Sequence, residues 1–391
     1  MPYFSFTLTT KINKKINPDL YTKLANFTLN TKYYSKNTIL WMLLNKNKKL
    51  LNISQLNIEK RTVSKKIFNS ILFCLPPNIG LGDSIEYALG IKSILVKYPN
   101  KKIGVAFVGN FNQIFSQYFC INNVFNEISE QNLLLYDAVF HFTLEIKEFK
   151  LQKYDRQNIE KIITNYFNTS LYRKKINFSN NVQINKNMIS IFPLSLSPIR
   201  TMPIDILNSI VEKYVDDYEI EIFLYNSSMM SNYIERNIKF SNKIILHTQQ
   251  NLNQLLIGIK NINFGIFVDS GPLHVAKILN KKGVLITSSV SEKILLYKFN
   301  SIKSIKSNYT SNFCPGKCGL VNVFNINDNV GCYDTLSIKK ENVLSLNNLN
   351  KLQRGKLKEN YLNIYNNPVK CFKSLDVNKI NLLIKEVMKK Y

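Results

Sequence analysis

The sequence is short of acidic groups, of cysteine and of long apolar runs, and each shortage excludes a class of protein. Only 26 Asp and Glu stand against 52 Lys and Arg in 391 residues, a formal net charge of +26. Such an excess attracts phosphate-rich partners (nucleic acid, anionic lipid or a nucleotide-sugar) without choosing among them. The chain is also rich in Lys, Asn and Ile together, a bias that coding-DNA composition produces without selection for any ligand. No zinc finger, RNA-recognition signature or basic helix with heptads accompanies the charge, so nucleic acid is not the expected partner. Six cysteines in a chain of this length do not make a disulfide scaffold. Cys74, inside Ile71-Leu72-Phe73-Cys74-Leu75, reads as a small buried hydrophobe. Cys314-Pro315-Gly316-Lys317-Cys318 and Cys332 supply three local thiols without the doubled Cys-x-x-Cys spacing, and a closed zinc site would need Cys371 or His247 as its fourth ligand. They read as a structural loop with free or redox-sensitive thiols, and no metal is expected. No apolar run reaches the roughly 18–20 residues that span a bilayer. The start, MPYFSFTLTTKINKK, lacks the apolar stretch and cleavage site of a secretory signal. The expectation is a cytoplasmic protein.

What is present is enough apolar sequence for more than one core: 45% hydrophobic and 12% aromatic residues over a length that exceeds a single ordinary domain. Residues 1–66 stand apart, with 13 Lys or Arg against Asp19 and Glu59, a net of 13 − 2 = +11. Within them Ile39, Leu40, Met42, Leu43 and Leu44 beside Trp41 can form one apolar helix face flanked by Lys46, Lys48 and Lys49. A basic amphipathic helix of that kind lies on an anionic membrane or packs on the main body.

From Ile67 the pattern becomes regular. Strand Ile71–Leu75 leads through Pro76-Pro77-Asn78-Ile79-Gly80-Leu81-Gly82-Asp83 into a helix bearing Ile85, Ala88, Leu89 and Leu95, which ends at Tyr98-Pro99-Asn100. Strands at 102–108 and 136–142 continue a βαβ series and hence a parallel sheet. A charged connection, 145–175, closes this first domain, and a second series begins after Asn187. It runs as strand 188–192, helix from Pro203, strand 219–225, strand 243–247, helix 252–260, strand 262–268, helix 272–279 and strand 283–287. A last helix, 377–391, carries Ile380, Leu383, Ile384 and Val387 on one face. The expected division is therefore an extension at 1–66, an α/β domain at 67–187 and a second at 188–391.

Three segments fall where strands run into helices. Gly80-Leu81-Gly82-Asp83 combines glycines, which let a ligand approach backbone amides, with a carboxylate that can act as a general base or simply cap the helix. Val268-Asp269-Ser270-Gly271-Pro272-Leu273-His274 offers helix-terminal amides suited to a diphosphate, with Asp269 for sugar hydroxyls; its plain alternative is a tight turn with Asp269 as cap and His274 in the core. Pro198-Ile199-Arg200-Thr201-Met202-Pro203 puts a guanidinium at the same sheet edge, where it neutralises a phosphate or is merely solvated.

In this order the segments resemble glycosyltransferase family 9, the family of the ADP-heptose:lipopolysaccharide heptosyltransferases. The likeness covers residues 67–340 and is most specific in DSGPLHVAKIL with the following strand GVLIT, then in GLGD with its helix and Lys97-Tyr98-Pro99. The third segment is usually a basic residue, any residue, Trp and Pro; here Met202 replaces the Trp. Lys277 occupies a position that is usually small, and residues 1–66 have no counterpart.

The resemblance implies an α/β GT-B fold, two Rossmann-like domains facing each other across a cleft, acceptor on the first and donor on the second. It implies inverting, metal-independent sugar transfer with no cofactor. The donor would be a nucleotide-diphosphate sugar such as ADP-heptose, and the acceptor a glycan or lipid-linked molecule such as lipopolysaccharide core at the inner face of the cytoplasmic membrane. In that reading Gly80 and Gly82 shape the acceptor-side turn and Asp83 takes the acceptor proton. Asp269 contacts the sugar, Ser270, Gly271, Pro272, Leu273 and His274 hold the donor around its diphosphate, and Arg200 neutralises a donor phosphate. The alternative is a catalytically silent GT-B relative that binds anionic glycans or lipids.

Overall fold

The computed structural model describes residues 4–8, 32–35, 51–55, 68–76, 79–126, 130–142, 158–173, 187–226, 228–249, 251–311, 316, 365 and 368–389. The expected amphipathic helix at 39–44 and the Cys314, Cys318 and Cys332 loop lie outside them. The early part of the chain contributes three strands, β1 (Phe4–Leu8), β2 (Lys32–Ser35) and β3 (Leu51–Gln55), in an antiparallel sheet of order β2-β1-β3. Its first strand, FSFTL, has the period-two alternation of a half-buried strand.

Next come β4 (Ser70–Cys74), α1 (Leu81–Lys97), β5 (Lys102–Ala106), β6 (Asn123–Phe125), α2 (Glu130–Leu134), β7 (Ala138–His141) and α3 (Ile159–Tyr166). The four strands pair in parallel in the order β6-β5-β4-β7. Their continuous apolar runs fit a sheet covered on both faces, and β4 is buried throughout. Phe73, Phe140, Phe142 and Phe167 form an aromatic cluster with centroids 5.2–5.8 Å apart. Cys74 is buried among these strands, as its apolar setting predicts.

The remaining elements are β8 (Met188–Phe192), α4 (Ile204–Tyr214), β9 (Glu219–Tyr225), α5 (Met229–Asn237), β10 (Ile244–Gln249), α6 (Leu252–Asn261), β11 (Phe264–Phe267), α7 (Gly271–Ile278), β12 (Lys282–Thr287), α8 (Glu292–Leu295), β13 (Ile302–Lys306), α9 (Lys370–Lys373) and α10 (Val377–Lys389). The six strands form an all-parallel sheet of order β10-β9-β8-β11-β12-β13. Numbered within the sheet, that is 3-2-1-4-5-6, the doubly wound Rossmann order, whose switch point lies between β8 and β11. The chain therefore crosses to the other side of the sheet between the strand that precedes Arg200 and the strand that precedes Asp269. Ligands of such sheets bind beyond the carboxyl ends of the strands at that point.

By compactness the chain divides into one unit holding residues 1–79, 91–150 and 164–170, and a second holding 80–90, 151–163 and 171–391. The expected ranges 67–187 and 188–391 follow the order of the chain, whereas the units do not: the start of α1 and much of α3 group with the six-stranded sheet. The last helix, α10, lays Ile380, Ile384 and Val387 into the core of the second unit, against α4, β12 and β13. Among the described residues no helix is long and apolar enough to cross a membrane.

One close approach sets the width of this sheet. Gly265 and Gly283 are cross-strand partners on β11 and β12, and the Phe267 ring lies over both. A methyl group on Gly283 would run into the Gly265 carbonyl, backbone that has nowhere to go. Gly283→Ala is expected to destabilise the protein by about 1–3 kcal/mol, as overpacking in a core does, measured by urea denaturation of the full chain.

Candidate functional site

The helix that follows β4 begins earlier than its sequence pattern shows. α1 starts at Leu81, Ser84 N–H donates to the Gly80 carbonyl at 2.9 Å, and Asp83 stands exposed in the first turn. Asp83 is thus inside the helix and not the residue that caps it. Negative charge at this end is favoured by the helix dipole.

The second turn sits at the switch point. β11 ends at Phe267, Val268 and Asp269 follow, Ser270 is extended with φ −157°, and α7 begins at Gly271 with Pro272 in its first turn. No side chain caps this helix, and the Ser270 hydroxyl turns back toward the Val268 carbonyl at 3.4 Å. Asp269 does not cap either; its carboxylate meets the Arg200 guanidinium, with Nη1 3.3 Å from Oδ2. Arg200 comes from the loop after β8. That loop is fixed by Thr201, whose hydroxyl accepts from Ser195 N–H at 3.1 Å and donates to the Ser197 carbonyl at 3.0 Å. Met202 is fully buried in the core, and its carbonyl accepts from the Tyr365 hydroxyl at 2.8 Å.

Three buried polar atoms of the loop, Ser195 Oγ, Ser197 Oγ and Arg200 Nε, have no hydrogen-bond partner among the described residues. An unmet buried donor costs about 1–3 kcal/mol, so Arg200 Nε, on the side chain that meets Asp269, marks a place where an acceptor belongs. Tyr225, at the end of β9, feels the same guanidinium; burial pushes its phenol up to about 12 against the opposing pull of Arg200. Beside it Phe192, Leu194, Phe223, Leu255 and Pro272 line a narrow apolar crevice.

The two turns pack directly on one another. A methyl group on Gly82 would stand 2.8 Å from Cδ2 and 3.1 Å from Nε2 of His274, and one on Gly271 would stand 2.9 Å from the Leu81 side chain. Both glycines are required for that approach, a reason for their presence that needs no special backbone angle. The structure thus brings together Gly80, Gly82, Asp83, Arg200, Asp269, Ser270, Gly271, Pro272, Leu273 and His274 within the second unit.

Behind His274 lies a group of buried charges, of which sequence inspection noted only Lys277. His274 Nδ1 is 3.3 Å from Glu86 Oε1 and 3.5 Å from Lys277 Nζ. The ammonium also lies 3.8 Å from Glu86 and 3.6 Å from Glu160, and over the Phe299 ring at 5.2 Å. Glu86, Glu160, His274 and Lys277 are all buried. Burial and then the Glu160 charge push the Glu86 carboxyl well above the usual carboxylate range, against the pull of Lys277. Burial, Lys277 and Arg200 hold His274 well below its ordinary value of 6.5. The helical spacing was the available signal: Asp83 and Glu86, like His274 and Lys277, are three residues apart and share a helix face.

Ser288 donates to the Ile199 carbonyl at 2.7 Å, so its hydroxyl braces the Arg200 loop. His247, one candidate fourth metal ligand, has Nε2 2.9 Å from Glu221 and stacks on Phe223. Cys371, the other, is half-buried and in no disulfide among the described residues. Among the described residues no group of three or more His, Cys, Asp and Glu is placed to hold a metal ion.

No family model matches the sequence, and no curated protein matches it. Solved structures do match. The iron-containing dodecameric glycosyltransferase TibC of enterotoxigenic E. coli is 11% identical, with 87% of this chain and 79% of that one covered and a TM-score of 0.51. The E. coli ADP-heptose lipopolysaccharide heptosyltransferase II is 14% identical over 71% of this chain and 97% of its own, with a TM-score of 0.47. A glycosyl transferase family 9 structure from Veillonella parvula is 13% identical over 75% and 97%, with a TM-score of 0.46. The TibC likeness establishes the fold: parallel-sheet α/β units of the kind found in GT-B glycosyltransferases.

The buried charges make a stability test. Lys277→Ala removes the ammonium beside Glu160 and Glu86 and is expected to cost about 3–5 kcal/mol in urea denaturation. Lys277→Met combined with Glu160→Gln removes both charges together and should cost less than half as much.

Proposed function

We propose that the chain is a family 9 glycosyltransferase that moves a sugar, with inversion and without a metal, from a nucleotide-diphosphate donor to a glycan or lipid-linked acceptor. The observation that carries this reading is the packing of the two turns, Gly82 on His274 and Leu81 on Gly271, beside the switch point of a Rossmann sheet. It sets an exposed carboxylate, Asp83, on a helix that touches the turn suited to a diphosphate. ADP-heptose is a reasonable donor because an E. coli heptosyltransferase of this fold is named for it. An acceptor on an anionic membrane surface is consistent with the charge of +26. Such a site would work in the cytoplasm.

In this mechanism Asp83 accepts the proton of the acceptor hydroxyl as its oxygen attacks the anomeric carbon, and the bond from that carbon to the diphosphate oxygen breaks. Charge develops on the leaving nucleoside diphosphate. The Arg200 guanidinium, held by Asp269, is the cation offered to the phosphate oxygens, the Ser195 and Ser197 hydroxyls of the same loop are further donors, and the α7 amides add their dipole. These donors are fixed before the reaction, which is how preorganised electrostatics substitutes for Mg²⁺. Asp269 keeps a second oxygen for sugar hydroxyls.

The test is nucleoside diphosphate release by the full chain with EDTA present, across a panel of ADP-, GDP- and UDP-sugars. Asp83→Asn is expected to lower turnover by about 10²–10⁴-fold, the usual worth of a positioned base, with donor affinity unchanged. Undiminished turnover in Asp83→Asn overturns the assignment of Asp83. Tight donor binding by the unsubstituted chain without any turnover would instead identify a silent GT-B binding protein.

A further inference from the structure

The mechanism above leaves Glu86, Glu160 and Lys277 without a task, although burying three ionisable groups is expensive. Their arrangement has a consequence for His274. An ammonium has three N–H donors and no acceptor, so a lysine nitrogen at 3.5 Å from Nδ1 can only donate to it. The second neighbour of Nδ1 is Glu86 Oε1 at 3.3 Å. With Nδ1 an acceptor, the Glu86 oxygen that faces it avoids repulsion by carrying a proton, while Glu160 meets Lys277.

We propose that Glu86 and Lys277 are positioning residues that hold His274 as a neutral imidazole, with Nδ1 an acceptor and the proton on Nε2, aimed at the Gly80–Asp83 turn. Nε2 is the ring nitrogen that lies against Gly82, so the fixed tautomer presents an N–H donor where the two turns meet. The directions in which burial and charge move Glu86 and His274 agree with this: the carboxyl keeps its proton and the imidazole refuses one. Lys277 on its own helix and Arg200 on the loop after β8 act on His274 directly, Glu86 on α1 faces its ring, and Asp83 on α1 and Glu160 on α3 act on Glu86 in turn.

A neutral donor has a specific use. An imidazolium would bind a diphosphate tightly in the ground state, whereas a neutral N–H strengthens its hydrogen bond as charge grows on the leaving oxygen, which favours the transition state. That use rests on the glycosyltransferase reading; the tautomer does not.

The chain has three histidines, His141, His247 and His274, so ¹⁵N-histidine labelling of the full protein gives three ring systems, and loss of one in His274→Asn assigns it. The expected result is a His274 signal with a protonated Nε2 and a bare Nδ1 that does not titrate between about pH 5 and 8, the range in which an ordinary histidine changes charge. Glu86→Gln, whose amide still donates, keeps that signature. Lys277→Met removes the donor to Nδ1 and the positive charge beside the ring, and His274 then takes up a proton at a higher pH than in the unsubstituted chain. If Lys277→Met fails to fold, Lys277→Met with Glu160→Gln restores the charge balance, and His274 is again neutral. The proposal is overturned by a proton on Nδ1, by ordinary titration of His274 in the unsubstituted chain, or by a titration that Lys277→Met leaves unmoved. Because the readout is spectroscopic, it stands if no nucleotide-sugar is consumed; absence of turnover counts against the proposed function alone.

Discussion

The missing side chain of Gly82 is the constraint on which the rest of the site depends. It lets the His274 ring lie against the first turn of α1, and the equivalent gap at Gly271 receives Leu81. Two strand-to-helix turns, nearly two hundred residues apart in sequence, thereby become one surface. That contact sets the first turn of α1, with Asp83, against α7, whose preceding residue pair holds the Asp269 carboxylate on Arg200, and it turns Nε2 of the histidine toward Gly82.

Behind this surface the molecule accepts an energetic burden that a simpler core would avoid. A lysine with 1% exposure in the last turn of α7 is stable only if its charge is answered locally. Glu160 and Glu86 answer it, and Phe299 adds a cation–π contact. Replacing a buried ion pair with apolar residues is often neutral or stabilising, so stability alone does not explain the presence of Lys277. Its position 3.5 Å from Nδ1 of His274 ties the burden to the site.

Much of the fold was legible in the sequence because buried parallel strands and amphipathic helices leave strong periodic signals. Met188–Phe192 and Glu219–Tyr225 match their expected spans, and α6, α7 and β12 match within a residue or two at each end. What escaped has physical reasons. β6 has three residues and β13 is only partly buried, so neither shows an apolar run. The alternation in Phe4–Leu8 was masked by the basic character of its surroundings. α1 begins at Leu81, ahead of Ile85, the first apolar residue read into its face, because Gly82 and Asp83 between them carry no hydrophobic signal. Within the site, the two turns and Arg200 could be located, since glycine, proline and strand ends mark them. Their mutual packing could not, because contact between Gly82 and His274 depends on which segments share a compact unit. Glu86 and Glu160 were invisible for the opposite reason: on a charged chain an acidic helix residue reads as solvated until its burial is known.

The claim most exposed to test is that the two turns form one nucleotide-sugar site. Thermal unfolding of the full chain, with EDTA, against saturating ADP-, GDP-, UDP- and CMP-sugars measures it, because a ligand that binds only the folded state raises the midpoint. The account predicts that one nucleotide class raises the midpoint and that Gly82→Ala, which drives a methyl group into the His274 ring, abolishes the rise while the protein still folds. A panel in which no donor stabilises the chain, or a rise that survives Gly82→Ala undiminished, would contradict it.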